Sequence, residues 1–316
     1  MNFGKAKSLD SNSTLSLQRR ALIREGIALT GKISEGGQAQ VYRAFDCTTG
    51  SPYAVKIISK VGREQDSARR EMVRLNAQRE VDVLKSIDHP NILKFSRVIE
   101  DDENCYLVTE FIKGLDLFEA GVRKKFSERE VLLLSRTLFD GLAYLHSLGV
   151  AHRDVKLENI VLMGSDKPED VKLIDFGLAH SFNFDDNSIC TDFPGTRQYK
   201  APEIVLSQPY DPKPVDIWAL GVVMYILCCR DFPFNGSDTA SVSHEILTKK
   251  LSFKGERWKN ISSATKKFIE KLLSRNPLER PTAEAAVLET SSILELGPPS
   301  TSLKRHPSLF SKFSGN

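Results

Sequence analysis

Three short blocks hold the residues best equipped for chemistry: H-R-D-V-K-L-E-N at 152–159, D-F-G at 175–177 and A-P-E at 201–203. They bring the carboxylates of Asp154 and Asp175, the carboxamide of Asn159 and the ammonium of Lys156 into one stretch of chain. Carboxylate and amide oxygens suit a hard cation such as magnesium. Transfer of a γ-phosphoryl group passes through a loose transition state, so a catalyst contributes mainly by positioning the attacking hydroxyl and neutralising phosphate charge. One carboxylate facing a hydroxyl, with further oxygens for metal ions, provides the parts for that reaction. D-F-G alone would carry little weight, because any buried strand could end that way. The order and spacing of the three blocks carry the information.

Together the blocks resemble the signature set of the eukaryotic protein kinases, serine/threonine type, over about residues 29–289. The resemblance implies an α+β, bilobal protein kinase fold. It has a small β-rich N-lobe with one helix, helix C, at 29–110 and a larger, mainly helical C-lobe at 115–289. Flexible tails are expected at 1–28 and 290–316. The implied cofactors are ATP and Mg2+. By the same resemblance Asp154 orients the substrate hydroxyl and accepts its proton, Asn159 and Asp175 hold metal ions, and Lys156 contacts the γ-phosphate. His152 and Phe176 are structural members of their blocks. Asp216, in D-I-W-A-L-G-V-V-M-Y-I-L-C-C, would bond the catalytic-loop backbone, with Trp218 in the core. Glu203 of A-P-E would pair with Arg280, for which the alternative is an exposed arginine at a helix start.

Upstream, I-S-E-G-G-Q-A-Q-V-Y at 33–42 occupies the place of the glycine-rich phosphate loop. Ser34, Gly36 and Ala39 stand at the three glycine positions, so only the central glycine remains. A Cβ at the other two restricts close backbone approach to phosphate and positive φ, and a stiffer cover with weaker ATP affinity is expected. Ile33, Val41 and Ala54 would wall the adenine, and Lys56 in A-V-K-I would reach the α- and β-phosphates. Glu80 resembles the helix C glutamate that pairs with this lysine. Val81, Val83, Leu84 and Ile87 around it suit a helix packed on a sheet. Arg69, Arg70 and Arg74 could receive a phosphate or an acidic partner, but an ordinary solvated helix face is the simpler reading. T-E-F-I-K-G-L-D-L-F resembles the hinge. It places Thr109 as gatekeeper, Glu110 and Ile112 as backbone contacts for adenine, and Asp116 at the ribose, where it could equally cap a helix. Glu158 and Val161 complete the implied nucleotide set.

The remaining elements follow from local rules. Ser127 and Glu130 form a capping box ahead of a helix apolar on most faces, expected to stop near Gly149. Residues 216–229 are strongly apolar but too short to span a bilayer. At 316 residues, 41% apolar and 27% charged, the chain can bury two cores. A net charge of +3 gives no argument for nucleic acid or membrane binding. Five cysteines, at 47, 105, 190, 228 and 229, lack metal-ligand spacing and suit free thiols in the cytoplasm or nucleus. A monomer without signal peptide or N-myristoylation pattern is expected.

The resemblance extends to regulation and substrate. Arg153 beside Asp154 marks the class in which an activation-segment phosphate pairs with that arginine. Counting back from Thr196 of G-T-R-Q-Y, the phosphate position is occupied by Asp192, with Thr191 and Ser188 nearby as modification sites. Glu158 and Asp116 would favour protein substrates with Arg or Lys about three residues before the target. G-L-D-L-F and the apolar 216–229 segment look most similar to the calmodulin-dependent group. The rival function is a pseudokinase or scaffold, suggested by the altered glycine loop.

Overall fold

The computed structural model of this protein describes residues 20–35, 39–60, 67–164, 167–182 and 189–297, except for the side chains of 67–70. The fold is α+β and divides into two compact units, Met1–Ile87 with Leu93–Ile112, and Asp88–Ile92 with Lys113–Asn316.

The first unit is built on five antiparallel strands: β1 (Ile27–Glu35), β2 (Ala39–Asp46), β3 (Pro52–Ser59), β4 (Phe95–Glu100) and β5 (Asn104–Glu110), in the order β1-β2-β3-β5-β4. Alternation along β3 sorts its residues by function. Val55 and Ile57, opposite Val108 and Tyr106, are buried in a cluster with Leu22, Ile27, Ala44 and Ile99. The intervening Ala54 and Lys56, opposite Thr109 and Leu107, face the other side of the sheet. Of the flexible tail expected at 1–28, residues 20–28 are therefore part of the ordered unit, and 1–19 lie outside the described residues. Residues 20–24 are helical, Leu22 and Ile27 are completely buried, and β1 starts at Ile27. Burying each of these two side chains is worth about 1.5–3 kcal/mol, which holds the segment in place.

Helix α1 (Ser67–Lys85) buries Ala77, Glu80, Val81 and Leu84, a stripe at helical spacing, and exposes Glu71, Arg74 and Arg79. The side chains of Arg69 and Arg70 lie outside the described residues.

The second unit is mainly helical. Helix α2 (Leu117–Arg123) is capped by Asp116, which accepts from the Glu119 amide at 2.7 Å. Helix α3 (Glu128–Ser147) begins with a reciprocal Ser127–Glu130 capping box and ends before Gly149, whose φ is 71°. Short strands β6 (Gly114–Asp116), β8 (Ile160–Met163) and β9 (Val171–Leu173) form one sheet, and β7 (Val150–Ala151) pairs with β10 (His180–Ser181). Gly114 is required here, because a Cβ would lie 2.1 Å from the Leu162 carbonyl oxygen.

A short α4 (Pro202–Val205) precedes α5 (Pro212–Cys229), and α6 (Thr239–Thr248), α7 (Ser263–Leu272) and α8 (Ala283–Leu296) follow. Helix α5 starts four residues before the apolar run read from sequence, because Asp211 caps it and Pro212 opens its first turn. Its 18 residues are long and apolar enough to cross a membrane, which revises the expectation of a segment too short to do so. However, 89% of the stretch is buried inside the protein, where it forms the core of this unit. A Cβ on Gly221 would meet Leu272 at 2.8 Å, so the glycine lets α7 pack close. Helix α8 passes the boundary expected at 290. Ala286, Thr290 and Ile293 are buried on the side that packs against α3, which extends the ordered domain to Leu296.

Candidate active site

The site in the second unit is organised from α5 outward. Asp216 is fully buried, with its Oδ1 accepting from the Arg153 amide at 2.7 Å and its Oδ2 from the His152 amide at 2.9 Å. His146 Nε2 of α3 lies 3.0 Å from the same Oδ2. Burial alone would raise the pKa of this carboxyl. The His146 contact, the nearby His152 ring and the His152 amide outweigh burial and hold it below the usual value. One side chain on a buried helix thus fixes the backbone immediately before Asp154. The His152 ring is held against the Ile174 carbonyl at 3.0 Å and edge-on to Phe176 at 4.9 Å.

Asp154 is 9% exposed and surrounded by donors. Lys156 Nζ donates to its Oδ2 at 2.6 Å and Asn159 Nδ2 donates to the same oxygen at 3.1 Å. The Thr196 hydroxyl donates to Oδ1 at 3.0 Å and also receives Lys156 Nζ at 3.0 Å. Because Asn159 uses its Nδ2 on Asp154, its amide oxygen points away from that carboxylate. The Ile174 amide donates to the Asn159 carbonyl at 2.9 Å, so the residue before Asp175 is tied to Asn159. Asp175 is exposed, with φ at 63°. No group of three or more His, Cys, Asp or Glu forms a metal cage among the described residues. A carboxylate and an amide oxygen instead suit Mg2+, which keeps several waters or phosphate oxygens in its shell.

In the first unit, Lys56 Nζ lies 2.6 and 2.9 Å from the two carboxylate oxygens of Glu80, which is 4% exposed. Val41 is opposite Lys56 across β2 and β3, and Ala54 is opposite Thr109 across β3 and β5. These four residues therefore share one sheet face, and Thr109 is buried. Ile33 and Ser34 lie on β1 and Ala39 opens β2, but Gly36 lies outside the described residues. The Glu110 side chain accepts from the Lys94 amide at 2.8 Å, and Ile112 ends this unit. In the second unit, Asp116 caps α2, Glu158 lies in the turn Leu157–Asn159, and Val161 pairs with Asp116 across β8 and β6. Burial raises the pKa of both Asp116 and Glu158, and their mutual repulsion raises that of Glu158 further.

Two arginines order the remaining segments. Arg153, with φ at 63°, donates from Nη1 to Asp192 Oδ1 at 2.7 Å and from Nε to the Leu178 carbonyl at 2.9 Å. Tyr210 joins them, accepting from Arg153 at 3.3 Å and donating to the Asp192 carbonyl at 3.0 Å. Burial opposes the charge on Asp192, but the hydrogen bond and the charge of Arg153 outweigh it and lower its pKa. Thr191 is exposed beside it, and Ser188 lies outside the described residues. Arg280 forms a bidentate pair with Glu203 at 2.7 and 2.8 Å. It also donates to the carbonyls of Ser274 and Pro214, with its guanidinium 5.0 Å from the Trp218 ring centroid. His146 and Tyr210 escaped the sequence reading. Neither lies in a recognisable motif, and their partners are 70 and 57 residues away.

The protein kinase domain family matches residues 27–290. The chain belongs to the protein kinase family. This kinase domain is 36% identical over 256 residues to the serine/threonine-protein kinase H1 homolog of Danio rerio, covering 81% of this chain and 58% of that protein. It is 35% identical over 256 residues to serine/threonine-protein kinase H1 of Homo sapiens, with the same coverage. The H1 homolog of Pinctada fucata gives 35% over 257 residues, 81% of this chain and 59% of that protein. The chain thus spans somewhat less than three fifths of the length of these relatives.

Proposed function

We propose that this chain is an active serine/threonine protein kinase that transfers the γ-phosphoryl of MgATP to hydroxyl groups of protein substrates in intracellular signalling. The observation that supports it most is the cluster of Lys156, Asn159 and Thr196 around a buried Asp154. Asp154 would orient a hydroxyl and accept its proton, and Lys156, bonded to it, would meet the phosphate being transferred. Asn159 and Asp175 would hold Mg2+, which supplies charge neutralisation at the phosphates. Lys56, fixed by Glu80, would hold the α- and β-phosphates, with Ile33, Val41, Ala54, Thr109 and Ile112 of the same unit around the base. The kinase H1 relatives carry serine/threonine-protein kinase in their names, which supports the same reading. Free thiols support a cytoplasmic or nuclear setting. The likeness of G-L-D-L-F and α5 to the calmodulin-dependent group supports a place near that group.

A scaffold without transfer would need none of Lys56, Glu80, Asp154, Asn159 and Asp175, and it remains the rival only because Ser34 and Ala39 replace glycines. Transfer from labelled ATP to a generic basic protein decides between them. The wild type labels the protein and Asp175→Ala does not; absence of transfer by the wild type at any Mg2+ concentration would favour the scaffold.

Two further outcomes follow from this reading. Aryl-extended ATP competitors should inhibit the wild type and lose about tenfold or more in potency against Thr109→Met, with KM for ATP nearly unchanged, because a buried threonine leaves room that methionine fills. Equal inhibition would exclude Thr109 from the nucleotide pocket. The Arg153–Asp192 contact should also support basal activity without phosphorylation. Asp192→Ala in phosphatase-treated bacterial protein should then lose about tenfold in kcat/KM, as expected for a partly buried charged hydrogen bond. Phosphorylation of Thr191 would add to the wild-type activity. The Asp192 pKa is depressed in the folded state, so this contact is complete above the unfolded value near 3.8 and lost only as pH falls through the lower folded value. Inactive dephosphorylated wild type, or an unaffected Asp192→Ala, would disprove the built-in contact. Asp116 and Glu158 support a basic residue about three positions before the target.

A further inference from the structure

The segment that follows Thr196 carries charge of the opposite sign to Asp116 and Glu158. Thr196 touches Asp154, and the next residues, Arg197–Tyr199, form a single helical turn ended by Lys200. Asp154, Gly195, Thr196 and Lys200 line one small cavity. Several half-buried cations among the described residues sit on carboxylates, Lys56 on Glu80, Lys60 on Glu100 and Lys156 on Asp154, as does the buried Arg153 on Asp192. Arg197 and Lys200 do not. The Lys200 ammonium, half-buried, donates to the Phe193 carbonyl at 2.9 Å. The contact of Arg197 to Thr239 Oγ1 is 3.4 Å, longer than an ordinary N–H···O bond. Neither has a carboxylate partner among the described residues. Burial lowers the Lys200 pKa with no opposing charge to offset it. A desolvated ammonium with one neutral acceptor has two further N–H donors, and an incoming carboxylate would both use them and restore the lost charge stabilisation.

We propose that Arg197 and Lys200 select substrates with an acidic residue immediately after the phosphorylated one. This rests on the protein kinase reading above. A hydroxyl presented to Asp154 places the neighbouring substrate residue about 3.8 Å along the chain, within reach of the segment that contains Thr196 and Lys200. The preceding side of the substrate is assigned to the acidic pair Asp116 and Glu158, so the carboxyl side meets the cations. The substrate is then bipolar, basic before the acceptor and acidic after it, and a peptide with reversed polarity meets like charge at both ends.

The test uses peptides with arginine three residues before the serine and Asp, Leu or Lys directly after it. Wild type should show kcat/KM about five- to tenfold higher for Asp than for Leu, with Lys lowest, the range expected for one or two partly exposed charge contacts. The Asp-to-Leu ratio, taken within each enzyme and so independent of its total activity, should fall to about one in Lys200→Met. In Lys200→Glu the Lys peptide should overtake the Asp peptide. An apolar preference in the wild type, or equal ratios in all three enzymes, overturns the proposal while leaving the kinase reading intact. Fluorescein-labelled peptides with alanine at the acceptor provide a second measurement. Wild type should bind the Asp form more tightly than the Leu form by anisotropy, with a difference that shrinks as salt is raised; equal affinities overturn the proposal. Should no peptide be phosphorylated while the Asp form still binds more tightly, the kinase reading fails and the charge selection stands.

Discussion

Replacing Asp154 with asparagine should lower kcat by about three orders of magnitude, within the range for loss of a positioned general base, while KM for ATP changes little. The substitution keeps size and shape. The Oδ2 position receives two donors, Lys156 Nζ and Asn159 Nδ2, so a new NH2 group cannot settle there. It turns instead to the Oδ1 position, where the Thr196 hydroxyl can rotate from donor to acceptor and only the long 3.3 Å contact from the Thr196 amide is given up. Lys156 and Asn159 therefore keep their partner, the fold is unchanged, and only the ability to take a proton is lost. Steady-state kinetics with thermal unfolding of the same sample checks this. A variant that unfolds at the wild-type temperature but retains a tenth or more of kcat would show that Asp154 is not the base.

The second large effect concerns stability. Arg280→Met should cost about 3–5 kcal/mol, because it leaves the Glu203 carboxylate buried without its partner. The side chains of Arg280 and Glu203 are 0% and 8% exposed. Glu203→Gln should cost clearly less. Arg280 then still has the Ser274 and Pro214 carbonyls and the Trp218 ring, and glutamine can accept one of the two lost bonds. The double variant should be more stable than the sum of the two losses predicts, since the second change removes a group already stranded by the first. Urea unfolding of the wild type and the three variants measures all three quantities. An Arg280→Met cost below about 1 kcal/mol, or strict additivity, would contradict the pairing.

Features governed by neighbouring residues were readable in the sequence. The Ser127–Glu130 capping box and the Asp116 cap are both made within three residues. The alternation that places Val55 and Ile57 on one face and Ala54 and Lys56 on the other follows from strand geometry. Where long-range burial decides, sequence reasoning fell short. Nothing local marks Leu22 as a core residue, so the helical turn at 20–24 and the first two residues of β1 read as tail. The last helix contains Thr290, Ser291 and Ser292, so its continuation to Leu296 depends on packing rather than propensity. The start of α5 could have been found, since Asp211-Pro212 is a recognised cap and first turn. Among the site residues, Asp154, Asn159 and Asp175 announced themselves by motif. His146 did not, because a histidine near a helix end normally reads as a dipole partner and not as a neighbour of an aspartate 70 residues on.

The attachment of His152 and Arg153 to Asp216 also sets a timescale. The acceptor belongs to a helix embedded in the centre of its unit, so the two amide protons can reach solvent only when that helix moves. Their hydrogen exchange should therefore be as slow as that of the slowest core amides, although they border an open site. In this domain the loop proposed to perform the chemistry should loosen only with global unfolding, and motions during turnover must arise elsewhere.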